Sequence, residues 1–212
     1  MGAYIVVAII SYLLGSISFS VIFSKKFAGI DVRTVGSKNA GATNTLRTAG
    51  KKAALLTLVC DVLKGILAVL AGFVVGLLFE NVDRALLVQI AGISVVLGHI
   101  FPVFFKFKGG KGVATSLGVL LIINWQLGLI CLVFALVIMV LTRMVSAGSI
   151  LAAVLFPILT IFIRDNYLVA EGNYIVFGVI LAAMVIILHR ENIKRIMSGS
   201  ENRLSFNKKE VK

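Results

Sequence analysis

VATSLGVLLIINWQLGLICLVFALVIMVL, residues 113–141, is a run of 29 residues whose only polar break is Asn124 and Gln126. A helix needs about 20 apolar residues to cross a bilayer. The run is therefore one steeply tilted helix or two short helices joined at the break. Five other apolar stretches surround it, Ala3 to Phe23, Ala53 to Phe79, Ala85 to Phe105, Ala147 to Ile163 and Tyr174 to Leu188, and each reads as one crossing. A tilted helix gives six crossings and a hairpin gives seven.

Charge placement separates the two. With seven crossings, one side of the membrane receives Lys25, Lys26, Arg33, Lys38, Arg47, Lys51, Lys52, Lys106, Lys108, Lys111, Arg143, Arg190, Lys194, Arg195, Arg203, Lys208, Lys209 and Lys212, which is 18 of the 21 Lys and Arg. The other side receives Arg84 and Arg164, and Lys64 lies within a span. With six, Arg143 and the seven basic residues of the tail would fall outside, against the positive-inside bias. The expectation is an all-α integral membrane protein with seven transmembrane helices, N-terminus outside and C-terminus cytoplasmic. Residues 1–205 form a single membrane-embedded domain and 206–212 a basic C-terminal tail. The first stretch has no positive n-region and no small-x-small cleavage site, so it is expected to be a retained span.

Composition agrees. Of 212 residues, 59% are apolar and 14% charged, with a formal charge of +12 and a mean hydropathy of +1.06. Soluble domains carry about 25% charged residues, so a water-soluble fold is excluded. Cys60 and Cys131 lie in apolar runs and read as small core residues. The outer links carry Glu80, Asp83, Asp165 and Glu171 and no chemical cluster. The inner links hold three polar segments with glycine: 31–52, 106–116 and 189–205.

In the first, DVRTVGSKNAGATNTLRTAGKK, glycines bare the backbone N–H groups, and Ser37, Asn39, Thr43 and Asn44 add donors for an oxyanion beside Arg47. It is not a Walker loop, because Ala42 and Thr43 follow Gly41 where lysine would stand. A solvated basic loop at anionic lipid explains it equally well. In the second, Lys108 and Lys111 flank Gly109 and Gly110 where a helix begins, an arrangement suited to phosphate. His99, at the end of the preceding span, caps a neighbour or joins the site. In the third, His189 and Asn192 share a helical face, although a basic amphipathic tail resting on the membrane is the default for such a sequence. Asp61 and Lys64, i to i+3 within a span, read as a structural pair. Ser11, Ser16, Ser18, Ser20 and Ser146 read as packing hydroxyls, while Ser149 begins a span on the basic side. Two histidines 90 positions apart and no cysteine cluster leave no metal site.

Three segments in order, GSKNAGATNTLR (36–47), GHIFPVFFKFKGGKGVAT (98–115) and HRENIKRIMSG (189–199), resemble the bacterial acyl-phosphate glycerol-3-phosphate acyltransferases, with a likeness reaching about Arg203. The resemblance implies an acyltransferase domain that moves a fatty acyl group from acyl phosphate to the 1-position of sn-glycerol 3-phosphate. The products would be lysophosphatidate and inorganic phosphate, the first acylation of phospholipid synthesis. It also implies that Lys111, Arg47, His189, Asn192 and Ser37 act in catalysis. Thr43, Asn44, Asn39, His99, Lys108, Gly109, Gly110 and Ser149 would bind substrate. The expected setting is a bacterial inner membrane with the active site facing the cytoplasm, a monomer among membrane lipid, with no cofactor, metal or nucleic acid. Lys38 stands where the family usually has glycine, and Ser18 and Ser20 replace its usual Pro and Gly. The rival classes are a transporter of phosphorylated anions and a lipid-binding scaffold; the absence of an internal repeat opposes the first, and the glycine–lysine turn has no use in the second.

Overall fold

The structure, a computed structural model, describes residues 1–79, 81–163 and 168–204. Glu80, Arg164, Asp165 and the tail 206–212 with its Lys208, Lys209 and Lys212 lie outside the described residues. Every regular element among those described is helical. In chain order they are α1 (Gly2–Gly15), α2 (Phe19–Ala28), α3 (Ala42–Leu78), α4 (Arg84–Ile100), a 3-10 turn (Val103–Phe105), α5 (Val113–Ile123), α6 (Trp125–Thr142), α7 (Val145–Phe162), α8 (Ile175–Leu188) and α9 (Arg190–Met197).

The break at Asn124 is present. Asn124 has extended backbone, φ −148° and ψ 103°, and its Oδ1 accepts from the N–H groups of Gln126 and Leu127, both at 3.1 Å, capping α6. The two helices lie against each other, since a Cβ on Gly128 would sit 2.9 Å from the backbone N of Leu121. At 11 residues α5 is about 16 Å long, half a bilayer core. Five helical stretches among the described residues are long and apolar enough to cross: Gly2–Ala28, α3, Arg84–Phe105, α6 and α7. A sixth is the pair α8 and α9, bent by 60° at His189.

Two expectations are refined. The first apolar stretch is two helices broken around Ser16 to Ser18, with Ser16 Oγ donating to the Tyr12 carbonyl at 2.9 Å and accepting from Val103 N–H at 3.3 Å. The glycine-bearing segment 31–52 is irregular only as far as Gly41. Residues from Ala42 belong to α3, which turns at Gly50, whose φ of 88° lies in the left-handed region that glycine tolerates. Thr43, Asn44 and Arg47 therefore ride on a two-turn helix ahead of the span.

Outward faces of α3 and α6 carry exposed Leu55, Leu63, Leu67, Val133, Leu136 and Val140, an apolar surface that suits lipid contact rather than water. Inside, Val69, Val95, Val119, Leu127, Phe156 and Phe177 join α3 to α8 in one core. Hydrophobic drive is weak between helices surrounded by lipid, so close backbone approach substitutes for it. Between α3 and α5 that approach is extreme: a Cβ on Gly65 would lie 2.3 Å from the Thr115 carbonyl oxygen, and one on Gly118 2.0 Å from that of Val62. This contact fixes the start of α5, and with it Lys111, two residues ahead of it.

Candidate active site at one end of the bundle

The three polar segments meet. Arg33 Nη1 donates to the Phe105 carbonyl at 2.7 Å, and Ala40 N–H reaches the Gly109 carbonyl at 3.4 Å, joining the first segment to the second. Lys111 Nζ donates to Asn192 Oδ1, joining the second to the third. Ser146 Oγ donates to Glu201 at 2.8 Å and Leu204 N–H to the Arg143 carbonyl at 2.7 Å, tying the α6–α7 corner to the chain after α9.

In the first segment Asn44 is the organiser. Its buried amide accepts from Ser37 N–H at 2.9 Å and donates to the carbonyls of Val32, Val35 and Asn39 at 2.8, 3.0 and 3.2 Å. Asn44 thus shapes the loop, leaving the exposed Ser37 and the partly exposed Asn39 and Thr43 on its surface. Asp31 chelates Arg33 through Nε and Nη2 at 2.9 and 2.7 Å. That guanidinium holds the Asp31 carboxyl down at about 2. Arg47 is exposed, its side chain bonded to nothing among the described residues. Lys38 sits at φ 58°, a left-handed position that glycine adopts more readily than lysine.

The second segment folds tightly under α4. Gly109 and Gly110 N–H groups donate to the Ile100 and His99 carbonyls, both at 3.1 Å. A side chain on Gly110 would collide with the His99 ring, 2.2 Å from Nε2. Lys108 is exposed and Lys111 half-buried. Burial, with Arg195 nearby, pulls the Lys111 ammonium down to about 8, against the opposing pull of Glu201.

In the third segment His189 lies just past the end of α8, and its Nδ1 contacts the Val185 carbonyl at 2.7 Å. The carbonyl can only accept, so Nδ1 carries the proton and Nε2 is a free acceptor. Burial first, then the Lys111 charge, lowers this histidine to about 4, so it is neutral. Asn192 donates to Glu201 Oε1 at 2.7 Å, and Arg195 Nε to Oε2 at 2.7 Å. Burial of Glu201 would raise its carboxyl, but bonds from Asn192, Ser146 and Arg195 outweigh this and keep it ionised.

Glu201 and Ser146 were not among the sequence candidates. The available signal was an acid at the end of a basic segment that also carries Glu191. Ser149 is buried on α7, its hydroxyl given to the Val145 carbonyl at 3.0 Å. It lines an apolar groove between α5, α6, α7 and α8. Val113 and Val185 border the groove near Lys111 and His189, and Leu120, Cys131 and Phe156 line it further along the helices. An ammonium, a glycine turn and a carbon-lined groove thus share one end of the bundle.

The sequence profile of the family described as glycerol-3-phosphate acyltransferase matches residues 5–199. The chain belongs to that family. Two glycerol-3-phosphate acyltransferases are similar over nearly their whole length. The one from Clostridioides difficile (strain 630) is 42% identical, with 97% of this chain and 98% of that protein covered. The one from Thermoanaerobacter sp. (strain X514) is 45% identical, with 98% of each covered. Crystal structures of PlsY (YgiH), an integral membrane glycerol 3-phosphate acyltransferase, share the fold. The glycerol 3-phosphate form has a TM-score of 0.83 and 37% identity over 95% of this chain and 96% of that one. The lysophosphatidic acid form has a TM-score of 0.81 and 36% identity over 95% of each chain. This member of the acyltransferase family is accordingly an all-α, multi-pass integral membrane protein.

Proposed function

We propose that this glycerol-3-phosphate acyltransferase takes its acyl group from acyl phosphate and works at the cytoplasmic face, through the site built around Lys111. The observation that carries the reading is the position of Lys111: half-buried, beside a turn of bare amides, in contact with Asn192 and next to a groove lined with carbon. Two phosphorylated reactants need cations and N–H donors, and a fatty tail needs the groove.

Lys111 and Arg47 hold phosphate, with Ser37, Thr43, Asn39, Lys108 and the amides of Gly109 and Gly110 as further donors. The 1-hydroxyl oxygen of glycerol 3-phosphate bonds to the acyl carbon, the bond from that carbon to the phosphate oxygen breaks, and inorganic phosphate departs. Phosphate is a good leaving group, so orientation within about 3 to 3.5 Å supplies much of the rate. The hydroxyl proton passes to the acceptor's own phosphate. Neutral His189, with Nε2 open, accepts a hydrogen bond from the neighbouring 2-hydroxyl and so orients the glycerol, leaving the 1-hydroxyl proton to the phosphate. Ser149 marks the passage from the polar site to the groove.

The distribution of Lys and Arg supports seven crossings, with the short α5 counted as one, the N-terminus outside and the polar end inside a bacterial inner membrane. One chain supplies every residue named, which fits a monomer in membrane lipid, and residues 1–205 act as one domain with 206–212 as its tail. The test uses purified protein in lipid with acyl phosphate, glycerol 3-phosphate, or both. Phosphate release that needs both, and no turnover with acyl-CoA as donor, is expected. Equal turnover with acyl-CoA would refute the donor assignment.

A further inference from the structure

A second cluster of ionisable groups lies inside the bundle, away from the open site. Asp61 and Lys64 on α3 are 2% and 1% exposed, and His99 at the end of α4 is 7% exposed. Asp61 Oδ1 is 2.7 Å from Lys64 Nζ and 3.4 Å from His99 Nδ1. Lys64 Nζ also donates to the Ile17 carbonyl at 2.9 Å, at the break between α1 and α2. Buried ion pairs are poor devices for stability, because apolar replacements of similar volume often do as well. Ionisable groups kept inside a membrane bundle are therefore candidates for use.

The geometry of His99 supplies the use. One edge of its ring faces the Asp61 carboxylate. The other edge, Nε2, rests against Gly110, and the His99 carbonyl accepts the Gly110 N–H at 3.1 Å. The residue after Gly110 is Lys111. A carboxylate facing one ring nitrogen favours the tautomer that carries its proton on that side and so biases the ring's rotation. Lys64 balances the Asp61 charge and ties it to the break between α1 and α2, so the carboxylate is a fixed post.

We propose that Asp61 is a positioning residue for the phosphate-holding turn: it locks the His99 ring, and the ring braces Gly110 and so the backbone on either side of Lys111. This rests on the reading of residues 109–112 as the phosphate site.

The test compares D61N/K64M, H99Q and the triple variant with wild type. The double variant removes both charges together, so no buried charge is left unpaired. It is expected to melt close to wild type while KM for glycerol 3-phosphate rises about tenfold or more, with a smaller change in kcat. H99Q should show a similar rise, and the triple variant should be no worse than H99Q, because the two act along one path. Wild-type KM in a well-folded double variant, or effects of the double variant and H99Q that multiply, would overturn the proposal and leave the pair a purely structural one. Should the double variant not fold, D61E keeps the charge on a longer arm: a raised KM supports the proposal and an unchanged one contradicts it.

A readout independent of turnover separates this idea from the activity on which it rests. The chain has two histidines, so ¹⁵N-histidine labelling, with H189Q for assignment, isolates His99. The Nδ1-protonated tautomer is expected in wild type and mixed tautomers in D61N/K64M, or in D61E if the double variant does not fold. An unchanged tautomer would refute the lock even in a preparation without activity, whereas absence of turnover in wild type would count against the functional reading alone.

Discussion

Two lysines show the division of labour in this molecule. Lys64 is fully buried, its charge matched at 2.7 Å by Asp61 and a further proton given to Ile17 at 2.9 Å. Lys111 is half-buried, bonded to the neutral Asn192, and has no carboxylate within ion-pair distance among the described residues. Its negative partner, Glu201, is reached only through Asn192. The first lysine is spent on the protein. The second keeps uncommitted N–H donors and an uncompensated charge, which a bound phosphate can complete. A cation's availability, not its presence in a motif, distinguishes a site from a strut.

The sharpest way to break this contrast is to remove each charge. Lys111→Met is expected to lower kcat/KM by about 10²- to 10³-fold, the usual cost of losing one preorganised donor, while the melting temperature in detergent stays near wild type. Lys64→Met should do the reverse first: it strands Asp61, and breaking a buried pair costs about 3 to 5 kcal/mol of stability, read as a large fall in melting temperature. Similar melting temperatures for the two variants would erase the distinction.

Glu201→Gln weakens the post that aims Asn192 at Lys111. Hydrogen bonds to a charged group are worth about 1.5 to 3 kcal/mol, so a fall of about 10- to 100-fold in kcat/KM is expected, and wild-type kinetics would show that Asn192 orients itself. The pH profile tests the same lysine without moving an atom. Its ammonium is lowered to about 8 by burial and by Arg195, so it is charged below that pH and neutral above it. Phosphate binding requires the charged form; kcat/KM should therefore drop through one deprotonation as pH rises past about 8, and Lys111→Arg should carry the drop to higher pH. The smallest effect concerns Lys38. A non-glycine residue in the left-handed region is strained by about 1 to 2 kcal/mol. Lys38→Gly should raise stability by about 1 kcal/mol after glycine's own entropy cost, unless Lys38 makes up the difference by contacts with lipid phosphate.

Much of this was legible in the chain because membrane spans announce themselves by uninterrupted apolar length. The break inside residues 113–141 was legible too, since an asparagine can cap a new helix with its own side chain. The split around Ser16 to Ser18 was not, because serines in apolar helices usually serve packing, and nothing local marks one as a break. Nor was the helix over Thr43 to Arg47, where closely spaced glycines argue for loop and only Gly50 adopts the backbone that turns the chain. At the site, the phosphate-friendly residues were visible by type, but their division was not. Asn44 has the same composition signal as Asn39, yet it spends its amide on the loop. Glu201 escaped notice because it reaches Asn192 through a turn rather than a helical repeat. The approach of His99 to Asp61 depends on two helices separated in sequence, which no spacing rule encodes.

Catalysis by this site requires the glycine–lysine turn to lie on the cytoplasmic side, where the phosphorylated reactants bind. Cysteine placed at the exposed position 108, with Cys60 and Cys131 replaced by alanine, can be probed by a membrane-impermeant maleimide. No labelling in intact cells, ready labelling in inverted vesicles, and slower labelling there when glycerol 3-phosphate is added are expected. Labelling of intact cells, or labelling in inverted vesicles at a rate indifferent to glycerol 3-phosphate, would contradict it.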